Sequence, residues 1–129
     1  MSSGWKPQGY STVSVYLVVE GAQRVIDFLK KTFDATDLRR FNTPDDKIMH
    51  AELRIGDTVV MIADASRSYP AFPVWLHVYV PDVDATYKTA LAAGGVSVQE
   101  PARREGDTDR RGGFKDPAGN TWWVATQVE

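Results

Sequence analysis

The chain repeats one succession of secondary-structure elements, and this repeat limits the folds that it can adopt. The spacing of apolar residues predicts the order strand, helix, strand, strand, strand twice. A shift of 61 positions superposes Val15, Leu17 and Val19 on Leu76, Val78 and Val80. Gly56-Asp57-Thr58 recurs as Gly119-Asn120-Thr121 after a shift of 63. Two copies of one supersecondary unit predict a pseudo-twofold domain of the α+β class.

In the first copy, the strands are predicted from alternating apolar residues and the helix from apolar residues at helical spacing. Apolar side chains alternate over 13–19 and 48–55, as in strands with one apolar face. Residues 22–33 carry apolar side chains at helical spacing, which predicts an amphipathic helix. A short strand at 38–41, a hairpin turn at Gly56-Asp57 and a strand at 58–63 complete this copy, and 64–73 is predicted as a loop.

The second copy begins with a predicted strand at 75–80. Asp82 is a predicted N-cap for a helix over 83–93, which Gly94-Gly95 ends. A short strand is predicted at 96–98 and a long polar loop at 100–113. A strand then begins at Phe114, and Asp116–Asn120 forms a turn because proline presets φ and glycine tolerates positive φ. The last strand begins at Thr121.

Composition and charge exclude several classes of protein. The 129 residues carry a net charge of −2, which gives no support to a general role in binding nucleic acid or a membrane surface. The absence of cysteine excludes disulfides and thiolate metal sites. No apolar run approaches the roughly 20 residues of a membrane span, and the N-terminus lacks the order of a signal peptide. These features predict a cytoplasmic protein.

Three motifs in a fixed order resemble those of a known family: Val18–Ala35 (VVEGAQRVIDFLKKTFDA), His50–Asp57 (HAELRIGD) and Gly106–Thr126 (GDTDRRGGFKDPAGNTWWVAT). They are similar to the vicinal oxygen chelate superfamily, which includes glyoxalase I, bleomycin and fosfomycin resistance proteins and extradiol dioxygenases. The PhnB-like, glyoxalase-like branch resembles this chain most.

The resemblance implies one domain over 12–127, with modules at about 12–64 and 74–127, after an N-terminal arm over 1–11. Its two βαβββ modules would form a curved mixed sheet around a cleft. Because each module has one helix, one face of its sheet stays uncovered. The resemblance also implies a homodimer, sometimes with modules or termini exchanged.

Metal-dependent members of the superfamily hold one divalent metal with four strand residues. Those positions fall here on Ser14, Met61, Trp75 and Trp123, and none of these side chains suits a hard or borderline divalent metal. The resemblance therefore predicts neither a metal at that position nor another cofactor. The parity of these positions assigns a cleft face, comprising Ser14, Tyr16, His50, Glu52, Arg54, Met61, Trp75, His77, Tyr79 and Trp123. The opposite face, which includes Val13 and Trp122, should pack on the helices.

The leading functional prediction is metal-independent binding of a small planar or aromatic molecule, as in drug-sequestering resistance proteins. Trp75 and Trp123 would stack on the ligand. Tyr16, His77 and Tyr79 would hydrogen-bond it, and Arg110, next to a Gly112-Gly113 hinge, would close over it as part of a lid. The alternatives are that the tryptophans fill the cleft as core and that the charged loop is simply solvated.

Two other functions stay open. His50, Glu52 and His77 could hold a displaced metal in a lyase, isomerase or dioxygenase of the glyoxalase type. The simpler interpretation is that His50 and Glu52 hydrogen-bond or ion-pair with Arg54 at the sheet margin. The third possibility is a scaffold whose cleft is filled by its own side chains.

Overall fold

The computed structural model describes residues 4–129 and contains the predicted element order twice. The first module contains β1 (Val15–Val19), α1 (Ala22–Phe33), β2 (Thr36–Asn42), β3 (Ile48–Ile55) and β4 (Thr58–Asp64). The second module contains β5 (Trp75–Tyr79), α2 (Val83–Ala92), β6 (Val96–Arg103), β7 (Asp109–Lys115) and β8 (Thr121–Gln127). None of the helices within 4–129 has the length and apolar character needed to cross a membrane.

Each module forms its own four-stranded mixed sheet. The strand orders are β1-β4-β3-β2 and β5-β8-β7-β6. In both sheets the first strand of the module pairs in parallel with its last strand, and the other pairs are antiparallel. The paired βαβββ modules and the mixed sheets are thus confirmed, although the strands form two sheets rather than one continuous sheet.

The helices cover one face of the sheets, as the alternation of apolar residues requires. Leu17, Leu53 and Trp122 are at most 1% exposed. They belong to one apolar core with the buried side of α1, which contains Val25, Ile26, Phe28 and Leu29. The prediction that Trp122 is a core residue is therefore confirmed.

At the start of both helices an aspartate carboxylate accepts a hydrogen bond from a backbone N–H group. Asp82 caps α2, since its Oδ1 accepts from the amide of Ala85 at 3.1 Å, and the predicted N-cap is confirmed. For α1 the carboxylate comes from β4 instead: Asp64 Oδ1 accepts from the amide of Ala22 at 2.8 Å. Asp64 Oδ2 accepts from Ile48 at 2.8 Å, so this side chain joins α1, β3 and β4.

The predicted loop at 100–113 is wrong. Most of these residues belong to β6 and β7, which pair through Gln99 with Gly113 and through Ala102 with Arg111, and only 104–108 connect them. Charged side chains are tolerated because β6 is the edge strand of its sheet. Edge position also explains β2, which extends beyond the predicted 38–41 and is exposed throughout. The first strand is shorter than predicted, since Val13 is 81% exposed and precedes β1.

The turn before β8 is organised around one buried carboxylate. Asp116 Oδ1 accepts from the amides of Ala118 at 2.8 Å and Asn120 at 3.1 Å. Asp116 Oδ2 accepts from Asn120 Nδ2 at 3.0 Å and from the Trp122 indole Nε1 at 2.9 Å. The predicted turn thus also sets which tryptophan enters the core, because its aspartate holds the indole of Trp122.

Candidate functional site

The predicted cleft residues lie on the uncovered faces of two separate sheets. The first open face contains Tyr16, His50, Glu52, Arg54 and Met61. The second open face contains Trp75, His77, Tyr79, Arg111 and Trp123. Within the described residues, no ring contact or side-chain hydrogen bond joins a member of one face to a member of the other. Ser14 precedes β1 and is half-buried.

A chain of hydrogen bonds crosses the first open face. The Tyr16 hydroxyl lies 2.9 Å from His50 Nδ1, and His50 Nε2 lies 2.7 Å from Glu52 Oε2. The other carboxylate oxygen of Glu52 accepts from the Tyr10 hydroxyl at 2.5 Å. The Arg39 guanidinium is 3.9 Å away and Glu52 is only 4% exposed. Glu52 is therefore a buried acid whose two oxygens are both engaged.

Electrostatics determine how this chain is protonated. Burial by itself raises the pKa of Glu52, but hydrogen bonds from Tyr10 and His50 outweigh it and lower that pKa overall. An ionised carboxylate only accepts, so His50 donates from Nε2 to Glu52, and its Nδ1 faces the Tyr16 hydroxyl. The pKa of Tyr16 is raised by burial and by the charge of Glu52, so Tyr16 stays a protonated phenol.

The N-terminal arm occupies part of the first open face. Arg54 Nη1 donates to the carbonyl of Gly9 at 3.0 Å, and the Arg39 guanidinium lies 5.4 Å from the centre of the Tyr10 ring. Together with the bond from Tyr10 to Glu52, these contacts hold the arm against β2 and β3. Sequence periodicity did not reveal Tyr10 as part of this face, because the contact joins residues 42 positions apart.

Two tryptophan rings meet at the centre of the second open face. The ring centroids of Trp75 and Trp123 lie 5.4 Å apart at 71°, an edge-to-face arrangement. Trp75 is 75% exposed and Trp123 is half-buried. The Nε1 of Trp123 is buried and has no hydrogen-bond partner within residues 4–129. In this chain the two rings contact each other and leave Trp75 open, instead of both being enclosed as core.

Polar groups surround the rings. His77 pairs with Trp123 across the strands and contacts the Tyr79 ring edge-on, with centroids 4.9 Å apart. The Tyr79 hydroxyl donates to Asp109 Oδ2 at 2.7 Å, and this bond raises the pKa of Tyr79. Arg111 forms ion pairs with Asp107 and, at 2.9 Å, with Asp109.

The arginine on the second open face is Arg111, whereas the sequence analysis selected Arg110. Arg110 points to the helix side, where Nε and Nη2 donate to the Asp84 carboxylate of α2 at 2.8 and 2.9 Å. Successive strand residues face opposite sides, so the two adjacent arginines cannot share a face. Gly112 and Gly113 lie inside β7 and form no hinge, and the predicted lid is absent from the described chain.

The three side chains suggested for a displaced metal do not come together. His50 and Glu52 contact each other on β3, while His77 lies on β5 of the other sheet. Within residues 4–129, no group of three or more histidine, aspartate or glutamate side chains is arranged to hold a metal ion.

Two cavities border the sheets. A cavity of about 740 Å³ lies where β1 and β4 approach β5, and its lining includes Val15, Phe33, Val60, Leu76 and Trp75. A second cavity of about 610 Å³ lies at the end of the first open face, lined among others by Tyr16, Met49, Lys47 and Tyr69. Both are large enough for a small organic molecule.

The fold agrees with the comparison to known proteins. The family model of the glyoxalase/bleomycin resistance protein/dioxygenase superfamily matches residues 11–124, and the chain belongs to this family. An uncharacterized protein of Mycobacterium bovis is 38% identical over 127 residues, covering 90% of this chain and 83% of the relative.

Solved structures show the same fold. TioX from Micromonospora sp. ML1 superposes with a TM-score of 0.75 at 25% identity, covering 92% of this chain and 99% of TioX. A PhnB protein from Bacillus cereus, described as a putative 3-demethylubiquinone-9 3-methyltransferase, superposes with a TM-score of 0.68 at 15% identity. This superposition covers 90% of the present chain and 99% of the PhnB protein. The resemblance to the vicinal oxygen chelate superfamily is thus confirmed by the family model, while the likeness to the PhnB protein is one of fold.

Proposed function

We propose that this protein binds a small planar aromatic molecule without a metal, and that the second open face is the binding surface. The observation that carries the proposal is the exposed ring of Trp75, which is 75% accessible and lies edge-on to Trp123. A contiguous patch of exposed aromatic rings with polar side chains around it is typical of a site for a ligand or partner. Stacking on such a ring contributes about 0.5–1.5 kcal/mol beyond the burial of apolar area.

The residues at the family's metal positions support this choice of chemistry. Trp75 and Trp123 contact each other directly, and Met61 lies beside Tyr16 and Glu52 on the other sheet. Indole and thioether side chains bind flat apolar molecules through contact area and polarisability. Sequestration of a drug-like aromatic compound needs only such a surface and no reacting group, and the name of the family includes bleomycin resistance proteins.

We also propose that the protein acts as a homodimer in which a second copy covers the exposed aromatic surface. The open faces, the cavity of about 740 Å³ between the modules and the exposed rings of Tyr69, Phe72 and Tyr79 support this assembly. A ligand held between two copies would be enclosed on both sides. Sedimentation equilibrium measures the mass directly, and a monomer at micromolar concentration with and without ligand would contradict the dimer.

The binding proposal is tested by tryptophan fluorescence with a panel of planar aromatic compounds. A bound ligand should quench emission in wild-type protein, and Trp75→Ala should weaken its binding at least tenfold while changing the free energy of unfolding little. Trp5→Ala is the matched control, because Trp5 is also exposed, at 83%, but lies in the N-terminal arm. If no compound binds, and Trp75→Ala mainly lowers stability, then Trp75 has a structural role and the proposal is wrong.

A further inference from the structure

One hydrogen bond on the second open face determines which nitrogen of His77 carries a proton. Arg111 Nε lies 3.3 Å from His77 Nε2 in donor geometry. A guanidinium has N–H donors and no acceptor, so Nε2 must be the unprotonated nitrogen. His77 is therefore the neutral tautomer with its hydrogen on Nδ1. The direction of the His77 pKa agrees with a neutral imidazole. Burial and the charge of Arg111 lower this pKa, and they outweigh the charges of Asp109 and Asp107, which raise it.

The Nδ1–H group of His77 is a free donor. His77 is an exposed side chain, and none of the hydrogen bonds among residues 4–129 involves its Nδ1. Trp123, its neighbour across the strands, carries a second N–H group without an acceptor. This face thus has N–H donors that lack partners next to the aromatic rings.

The acceptors on the same face are already engaged. Asp109 is 3% exposed and accepts from Tyr79, Thr108 and Arg111, and Asp107 accepts from Arg111 and from the amide of Asp109. The proton of the Tyr79 hydroxyl is committed to Asp109. A ligand that supplies an acceptor can pair with the free N–H donor of His77 without displacing any of these bonds.

We propose that His77 is the specificity-determining residue of this face and selects planar aromatic ligands with an in-plane hydrogen-bond acceptor, such as a ring nitrogen or a conjugated carbonyl. This inference rests on the proposed function. His77 lies two residues from Trp75, about 6–7 Å along the strand. A two-ring compound that stacks on Trp75 spans this distance. Arg111 is a positioning residue, since it fixes the tautomer.

The tautomer is measured first, without any ligand. The chain has two histidines, so ¹⁵N–¹H correlation spectra of the imidazole rings are assigned with the variant His77→Phe. We expect His77 to be protonated at Nδ1. His50 provides an internal comparison, because its contact with Glu52 requires a proton on Nε2. Protonation of His77 at Nε2 in the neutral protein would overturn the inference, whatever ligands bind.

The selectivity is measured with two probes of the same shape, quinoline and naphthalene, which differ in one ring nitrogen. A neutral hydrogen bond is worth a factor of roughly 2 to 10 in affinity, so quinoline should bind tighter by that factor. His77→Phe should abolish the preference but retain naphthalene binding, and His77→Gln, which retains an N–H donor, should recover part of it. Equal affinities of wild-type protein for both probes would refute the donor role while leaving the aromatic surface intact. If neither probe binds while other planar compounds of the panel do, this inference is wrong and the proposed function stands; if no compound of the panel binds, both fail.

Discussion

Gly113 lies directly beneath the indole ring of Trp123. A Cβ atom added to Gly113 would come within 2.6 Å of Trp123 Cε3 and 2.7 Å of Cζ3, and the two residues pair across β7 and β8. The glycine therefore provides the space in which the indole lies flat on its own sheet. This contact holds Trp123 in place as the inner ring of the aromatic pair. Trp75 is the outer ring, which contacts Trp123 and is exposed to solvent.

We predict that Gly113→Ala displaces Trp123. Because the added methyl group overlaps ring atoms, we expect a loss of about 1–3 kcal/mol in the free energy of unfolding, as for other overpacked sites. Urea unfolding measures this loss. The double variant Gly113→Ala/Trp123→Leu, in which a smaller side chain replaces the ring, should recover most of the stability lost to overlap. If the single alanine variant is as stable as wild type, Trp123 is not held by this contact.

We predict that Asp116→Asn strongly destabilises the turn before β8. The substitution replaces one acceptor oxygen by an NH₂ group, which then faces N–H donors from Asn120 and Trp122. A buried donor without a partner costs about 1–3 kcal/mol, and we expect a total loss of at least about 2 kcal/mol. Asp57→Asn in the exposed hairpin is the matched control and should change stability by less than about 0.5 kcal/mol. Equal effects of both variants on thermal unfolding would contradict this role of Asp116.

We predict that the bond from Tyr10 to Glu52 makes stability depend on pH in the acid range. The pKa of Glu52 is lowered in the folded protein, so the unfolded chain binds more protons in that range. The contribution of Glu52 is present above the ordinary glutamate pKa and is lost as pH falls through the lowered folded value.

The variant Tyr10→Phe isolates this contribution from those of other carboxylates. At neutral pH it should lose about 1.5–3 kcal/mol, the range for a hydrogen bond to a charged group. The difference from wild type should shrink as the pH is lowered and Glu52 is protonated. Urea unfolding from pH 7 to pH 3 measures it. A difference that stays constant with pH would mean that Tyr10 acts through packing alone.

We predict losses of stability of different size for the two adjacent arginines of β7. The Arg110–Asp84 pair is largely exposed to solvent, so Arg110→Ala should change the free energy of unfolding little. Arg111→Ala leaves the buried carboxylate of Asp109 without its cation and should cost about 2–4 kcal/mol. Chemical unfolding of both variants compares them directly. Equal losses would show that Asp109 does not depend on Arg111.

Local patterns in the sequence were sufficient for several features of the fold. The apolar period of 22–33 predicted α1, Asp82 predicted the start of α2, and the two turns Gly56-Asp57 and Asp116–Asn120 predicted the hairpin and the last strand. Strand parity separated Trp122, which is buried, from Trp123 on the other side. These features depend on neighbours within a few residues, so single-chain periodicity and turn chemistry reveal them.

The tertiary structure alone decided how the cleft residues divide between two sheets and which partners complete each face. Charged residues at 100–113 hid β6 and β7, because an edge strand and its neighbour can carry charges that a buried strand cannot. Three hydrogen bonds join residues 26 to 42 positions apart: Tyr10 to Glu52, Arg111 to His77 and Arg110 to Asp84. The repeat and its periodicities determined two βαβββ modules, each with one uncovered sheet face. Local patterns do not encode the order and register of the strands. That order and register decide which donors, acids and rings meet on the open sides.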